Sequence, residues 1–153
     1  MKSVDEHMKK FTLDSIWFLI LPLIGLIDSF YLMNIHYNPG ICVEQGTFLG
    51  YPLDCGYIAQ SSYSEIITIP VAMLGIFYYL TLLIVINFRH TDFIRKFGAE
   101  TITMLIVGLG MAFTIYLVIL QLAVLHAICV YCMISALTTT TLFILTVLMY
   151  RSQ

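Results

Sequence analysis

Apolar residues run along the chain in four long stretches, Ile16–Tyr37, Ile66–Phe88, Thr101–Leu125 and Ala127–Tyr150, separated by shorter polar segments. Each is long enough to cross a bilayer, for which a helix needs about 20 predominantly apolar residues. Only helices and closed barrels satisfy every backbone group in lipid, and uninterrupted runs of this length predict helices. The last three stretches hold no Asp, Glu, Lys or Arg, and the first holds only Asp28. Lys2, Lys9 and Lys10 before the first stretch resemble the head of a signal peptide. The stretch is longer than a signal core, however, and lacks an A-x-A-type cleavage site, so it is expected to stay as a mature helix. The expectation is an all-α integral membrane protein: one domain over residues 1–153, a four-transmembrane-helix bundle with a loop between the first two helices.

Composition strengthens this picture. Of 153 residues, 60% are hydrophobic and 10% charged, against about a quarter charged in a soluble domain. The mean hydropathy of +0.94 excludes a disordered chain, a water-soluble domain and a nucleic-acid binder working through a basic face. The net charge of −2 says little, but the placement of the charges is informative. Lys2, Lys9 and Lys10 precede the first helix, Arg89, Arg95 and Lys96 lie between the second and third, and Arg151 follows the fourth. All seven fall on one side of the predicted bundle. The positive-inside rule then puts both termini in the cytoplasm and sends the Tyr37–Glu65 loop and the His126 turn outward.

All four cysteines lie on that outer side. Cys42 and Cys55 are in the loop, and Cys129 and Cys132 form a Cys-Val-Tyr-Cys motif opening the fourth helix. This is the oxidising side in most cells, and four cysteines permit three pairings. Two structural bridges are one reading. A zinc site is another, disfavoured because one pair is widely spaced and the other enters a membrane helix, so no metal is expected. The third reading is redox chemistry. A helix N-terminus stabilises the thiolate that performs disulfide exchange, and the i, i+3 spacing puts both sulfurs on one face. Cys129 would then lie at the membrane surface and Cys132 one turn deeper, suiting a relay from a loop thiol to something dissolved in lipid. A structural bridge within one turn would restrain little that the helix does not already hold.

Further motifs occur in a recognisable order: Ser29-Phe30-Tyr31-Leu32 in the first helix, the loop cysteines, Ser61, Ile69-Pro70 through Gly75-Ile76-Phe77-Tyr78, and Tyr116-Leu117 ahead of the C-x-x-C. In this order the chain resembles the vitamin K epoxide reductase (VKOR) family over nearly its whole length, as a stand-alone prokaryotic-type member. It differs from the DsbB family, which carries its C-x-x-C in the first outer loop. The resemblance implies a four-helix bundle around a quinone of the ubiquinone or menaquinone type. Electrons would pass from a partner's thiols to the loop pair, then to the C-x-x-C, then to the quinone.

Carried over residue by residue, Cys42 exchanges with the partner, Cys55 exchanges with Cys129, and Cys132 reduces the quinone, with Ser61 and Tyr116 orienting the quinone or the loop. Because the chain ends soon after Tyr150, the donor is expected to be a separate thioredoxin-like (DsbA-like) thiol protein. The expected function is therefore a membrane oxidoreductase that generates disulfides. A second reading keeps the fold and makes vitamin K quinone or its epoxide the substrate. Animal members, however, carry an Asn near the start of the second helix and a Tyr after the C-x-x-C, where this chain has 68–70 and Ala136. A reading of another class is a membrane scaffold or small transporter with structural disulfides, in which Asp28 would be the functional residue.

The remaining polar residues have ordinary readings beside functional ones. Asp28 is expected to face the bundle interior in a packing or hydrogen-bonding role. His36 and His126 are read as solvated interface residues able to handle protons. Cys132, Ser135, Ala136 and Thr139 share one face, leaving room for a flat ring or for close helix packing. Pro70 is expected near the start of the second helix, where it would kink it.

Overall fold

A computed structural model of the chain describes residues 2–42, 46–88 and 98–151, with the backbone alone described at 2–15 and 99–100. The basic cluster Arg89, Arg95 and Lys96 lies outside the described residues. Among these residues, four helices are long and apolar enough to cross a membrane: 16–37, 71–88, 101–125 and 130–151. This is the expected all-α membrane bundle.

The first helix, α1 (Lys2–Tyr37), begins well before its apolar span and carries Pro22 without ending. A 3-10 turn at Pro39–Ile41 follows. The segment between α1 and the second long helix is not a bare loop. It holds an antiparallel hairpin, β1 (Thr47–Phe48) and β2 (Tyr51–Pro52), the short helix α2 (Cys55–Gln60), and a second hairpin, β3 (Glu65–Ile66) and β4 (Ile69–Pro70). Asp54 starts α2 by accepting the Tyr57 N–H on Oδ1 at 2.8 Å, and Asp is a strong N-cap.

The second spanning helix, α3, runs Val71–Phe88, so the expected start at Ile66 is corrected. Ile67 and Thr68 have φ of 52° and 69°, and no right-handed helix runs through two such residues. Pro70 accordingly sits in β4 before the helix and kinks nothing. The third helix, α4 (Ala99–Ile119), passes into a π-helical segment at Leu120–Leu125, which stops at His126 in the left-handed region. The fourth spanning helix, α5, runs Val130–Arg151, three residues inside the expected start. Residues 127–129 are held instead by the loop: Ile128 N–H donates to Pro52 O at 3.0 Å, and Asp54 N–H donates to Ile128 O at 3.1 Å.

α1 packs along α3 and α5, and α5 along α4, while α3 and α4 touch far less. Two cores result. One, in the body of the bundle, joins Phe18, Leu21, Tyr79, Leu82, Ile86, Val107 and Leu142. The other joins Ile35, Cys55, Ile58, Ala127 and Cys129 where α2 covers the bundle end. Apolar residues on the remaining faces, among them Ile27, Leu105, Leu109 and Leu137, are exposed, as lipid-facing positions would be. Small residues allow the close helix approach: a Cβ on Gly25 would strike the Tyr79 ring, one on Gly75 would strike Ser29 Oγ, and one on Gly110 would strike the Tyr78 ring.

Candidate active site

All four cysteines gather at the bundle end covered by α2: Cys55 and Cys129 are in its buried core, and Cys42 and Cys132 pack against it. Of the three pairings the sequence leaves open, the structure joins Cys55 to Cys129 in a disulfide, and both residues are fully buried. The parallel bridge between Leu53 and Ile128 sets up this juxtaposition by aligning the chain two residues before Cys55 with the residue before Cys129.

Cys129 occupies the N-cap position of α5. Its carbonyl accepts the Met133 N–H at 3.1 Å, and its sulfur accepts the Cys132 N–H at 3.4 Å. The C-x-x-C therefore spans a helix start, with one cysteine capping the turn that carries the other. Such a position favours negative charge on sulfur through the free amides and the helix dipole. The Cys129 N–H in turn donates to Gln121 Oε1 at 3.2 Å, inside the protein. Gln121 was not singled out by the motif reading. Its signal was a lone amide side chain in an otherwise apolar span, which needs a partner where it is buried.

Cys42 is a free thiol, partly buried, at the end of the Pro39–Ile41 turn and packed against the Cys55–Cys129 core. A Cβ on Gly56 would lie 3.3 Å from Pro39 O, so this turn rests directly on the first residues of α2. The neighbouring residues 43–45 lie outside the described residues.

A cavity of about 660 Å³ opens beneath this cluster, between α3 and α4 with α1 and α5 behind. Cys55, Cys129 and Cys132 line it together with Ser61 and Tyr116, so both expected hydroxyl residues are on its wall. Ser61 Oγ also donates to Ile58 O at 2.8 Å, ending α2, while Tyr116 is half exposed beside Phe113. The Tyr78 hydroxyl is buried without a hydrogen-bond partner among the described residues, and Tyr78 lines the cavity too. The Tyr79 hydroxyl lies 2.9 Å from Ser135 Oγ and 3.0 Å from Thr139 Oγ1, tying α3 to the small-residue face of α5 below Cys132. Ser135, Ala136 and Thr139 line the cavity, and two of them anchor a neighbouring helix.

Asp28 faces inward as expected, buried on α1, with Oδ2 lacking a hydrogen-bond partner among the described residues. It is not among the cavity-lining residues. His126 is exposed and stacks on Tyr51. His36 departs from its reading as a solvated residue: it is partly buried, Nδ1 donates to Ala59 O at 2.7 Å, and Nε2 meets Glu65 Oε1 at 3.2 Å. Among the described residues no cluster of His, Cys, Asp or Glu has the make-up of a metal site.

A bundle of membrane-spanning helices that buries a cysteine bridge above an apolar cavity, with a further cysteine on the cavity wall, has the make-up of an integral membrane oxidoreductase. The chain belongs to the vitamin K epoxide reductase family, whose model matches residues 16–147. Among curated proteins, none matches the chain.

Proposed function

We propose that the protein is a quinone-coupled thiol oxidoreductase that generates disulfides. The observation that carries this reading is the Cys55–Cys129 bridge, which joins the loop cysteine to the C-x-x-C at the wall of a cavity that Cys132 also lines. In the reading, a thioredoxin-like partner's dithiol reduces a Cys42–Cys55 disulfide and leaves as a disulfide. Cys55 thiolate then attacks Cys129 of a Cys129–Cys132 disulfide, forming the Cys55–Cys129 bond and releasing Cys132 as thiolate. Attack of Cys42 on Cys55 closes the loop pair again and releases Cys129. Each exchange breaks one S–S bond and forms one, with a proton passing between the attacking and leaving thiols. Two electrons and two protons thereby move from the partner to Cys129 and Cys132.

The cavity suits a quinone as their acceptor, which takes up two electrons and two protons when bound. Its volume falls within the about 300–1,000 Å³ of small-molecule sites, and its walls are mainly apolar. The orphaned Tyr78 hydroxyl is a donor in need of an acceptor, and Ser61 and Tyr116 supply further hydroxyls. Cys132 is the residue from which electrons leave, while Cys129 is held by Gln121 and the start of α5. The positive-inside rule supports an extracytoplasmic cysteine end, because Lys2, Lys9, Lys10 and Arg151 belong to the opposite ends of α1 and α5.

The test is quinone reduction by purified protein, with a small dithiol or a reduced thioredoxin-like protein as donor. The expected result is turnover in wild type and none in Cys132→Ala or Cys129→Ala, both folded. Turnover retained in both variants would remove the assignment.

A further inference from the structure

α2 is six residues long, too short to hold its place through its own helical bonds, yet it carries the cysteine that must face Cys129. At its front it is held by the Leu53–Ile128 bridge and by the disulfide itself. At its rear the polar tie is His36 of α1, whose Nδ1 donates to Ala59 O at 2.7 Å. The opposite edge of the same ring meets Glu65 Oε1 at 3.2 Å, so one side chain gathers α1, α2 and β3. Ile35, next to His36, packs in the same core as Ile58 and Cys55.

We infer that His36 is a positioning residue that holds α2 so that Cys55 pairs with Cys129 rather than with Cys42. The inference rests on the relay reading. Cys42 lies beside α2, so the bridge has a competing isomer: Cys42 thiolate attacks Cys55, a Cys42–Cys55 bond forms, the Cys55–Cys129 bond breaks, and Cys129 leaves with the proton. No electron enters or leaves. The balance between the two isomers is set by how closely each thiol is presented to Cys55. The His36 contact to Ala59 belongs to the arrangement in which Cys55 faces Cys129. Removing it weakens that arrangement and leaves the chemistry of the three sulfurs as it was.

The experiment uses the full chain in lipid nanodiscs, equilibrated in a fixed mixture of reduced and oxidised glutathione, quenched with acid, alkylated and digested. Peptide mass spectrometry then reads the ratio of Cys42–Cys55 to Cys55–Cys129. His36→Ala is expected to raise this ratio about tenfold, the effect of losing one well-made hydrogen bond in a partly buried site. His36→Asn carries an amide N–H where Nδ1 stands and is expected to restore the ratio to within about threefold of wild type. His36→Gln reaches toward Glu65 instead and is expected to behave like His36→Ala. A purely structural residue would not distinguish the two amides, so equal ratios in His36→Asn and His36→Gln overturn the inference even where His36→Ala does not fold. A His36→Ala ratio equal to wild type overturns it as well, with the relay intact. A wild-type protein that never forms Cys42–Cys55 at any glutathione poise overturns the relay and this inference together.

Discussion

The sulfur of Cys129 accepts the backbone N–H of Cys132 at 3.4 Å, so the first cysteine of the C-x-x-C caps the helical turn on which the second one stands. The two residues are thereby coupled through the helix start as well as through their chemistry. A change at Cys129 alters both a redox partner and a cap.

That double role separates two substitutions. Cys129→Ser and Cys129→Ala both lose the bridge to Cys55, but serine is a preferred N-cap and alanine is not. Thermal unfolding in detergent is expected to find Cys129→Ser the more stable by about 1 kcal/mol. Equal stabilities would mean that the sulfur contributes nothing as a cap.

Gln121 is the other support of Cys129. Gln121→Leu leaves the buried Cys129 N–H without its acceptor and is expected to cost about 1–3 kcal/mol. Gln121→Glu keeps an acceptor at that point, so it is expected to preserve the Cys55–Cys129 bridge, read by alkylation and peptide mass spectrometry. A Leu variant as stable as wild type would show the bond to be dispensable.

The bundle tolerates little added volume at its close approaches. Gly25→Ala drives a methyl group into the Tyr79 ring, which is fully buried and bonded to Ser135 and Thr139. The expected loss is about 1–3 kcal/mol, as for other overpacked cores. Tyr79→Leu should relieve the clash, so the double variant is expected to be more stable than the sum of the two singles predicts. Additive losses would remove the contact from the account.

At the cavity wall, Gly110→Ala meets Tyr78 in the same way. Displacing that ring reshapes the cavity that Cys132 also lines and is expected to leave the cysteine bridge untouched. Steady-state assays are expected to show a raised KM for quinone with unaltered dithiol exchange among the cysteines. A raised KM for the dithiol donor alone would place the effect elsewhere.

The β3–β4 hairpin offers a gain. Ile67 and Thr68 occupy both central positions of a two-residue turn with positive φ, where Asn-Gly is preferred and β-branched residues are strained. Ile67→Asn with Thr68→Gly is expected to stabilise the protein by about 1–2 kcal/mol in thermal unfolding. No gain would show that Ile67, which is 89% exposed here, is favoured by contacts outside the protein.

The four spans, the all-helical class and the gathering of the cysteines at one end were all legible in the order of residues. They depend on local hydrophobicity and on how many times the chain crosses the bundle. The hairpin at 65–70 was not seen, because a run such as Ile66-Ile67-Thr68-Ile69 is as apolar as the helix after it. Hydrophobicity alone does not separate the two, although the β-branched side chains and Pro70 were the available signal. Gln121 and His36 were visible as polar residues in apolar stretches, but their partners, Cys129 N–H and Ala59 O, are backbone atoms that only the folded chain brings near.

The pairing of the cysteines shows the same division most plainly. Residue order put four sulfurs on one side and one pair at a helix start, and there it stopped, since three pairings satisfy the same spacing. The choice of Cys55 with Cys129 came from long-range backbone pairing of Leu53 with Ile128 and from the seating of α2 against α1. Contacts between residues this far apart in the chain have no local signature. Span, sidedness and reactive residue types are therefore local properties readable along the chain, whereas which sulfur meets which, above what cavity, was decided by packing.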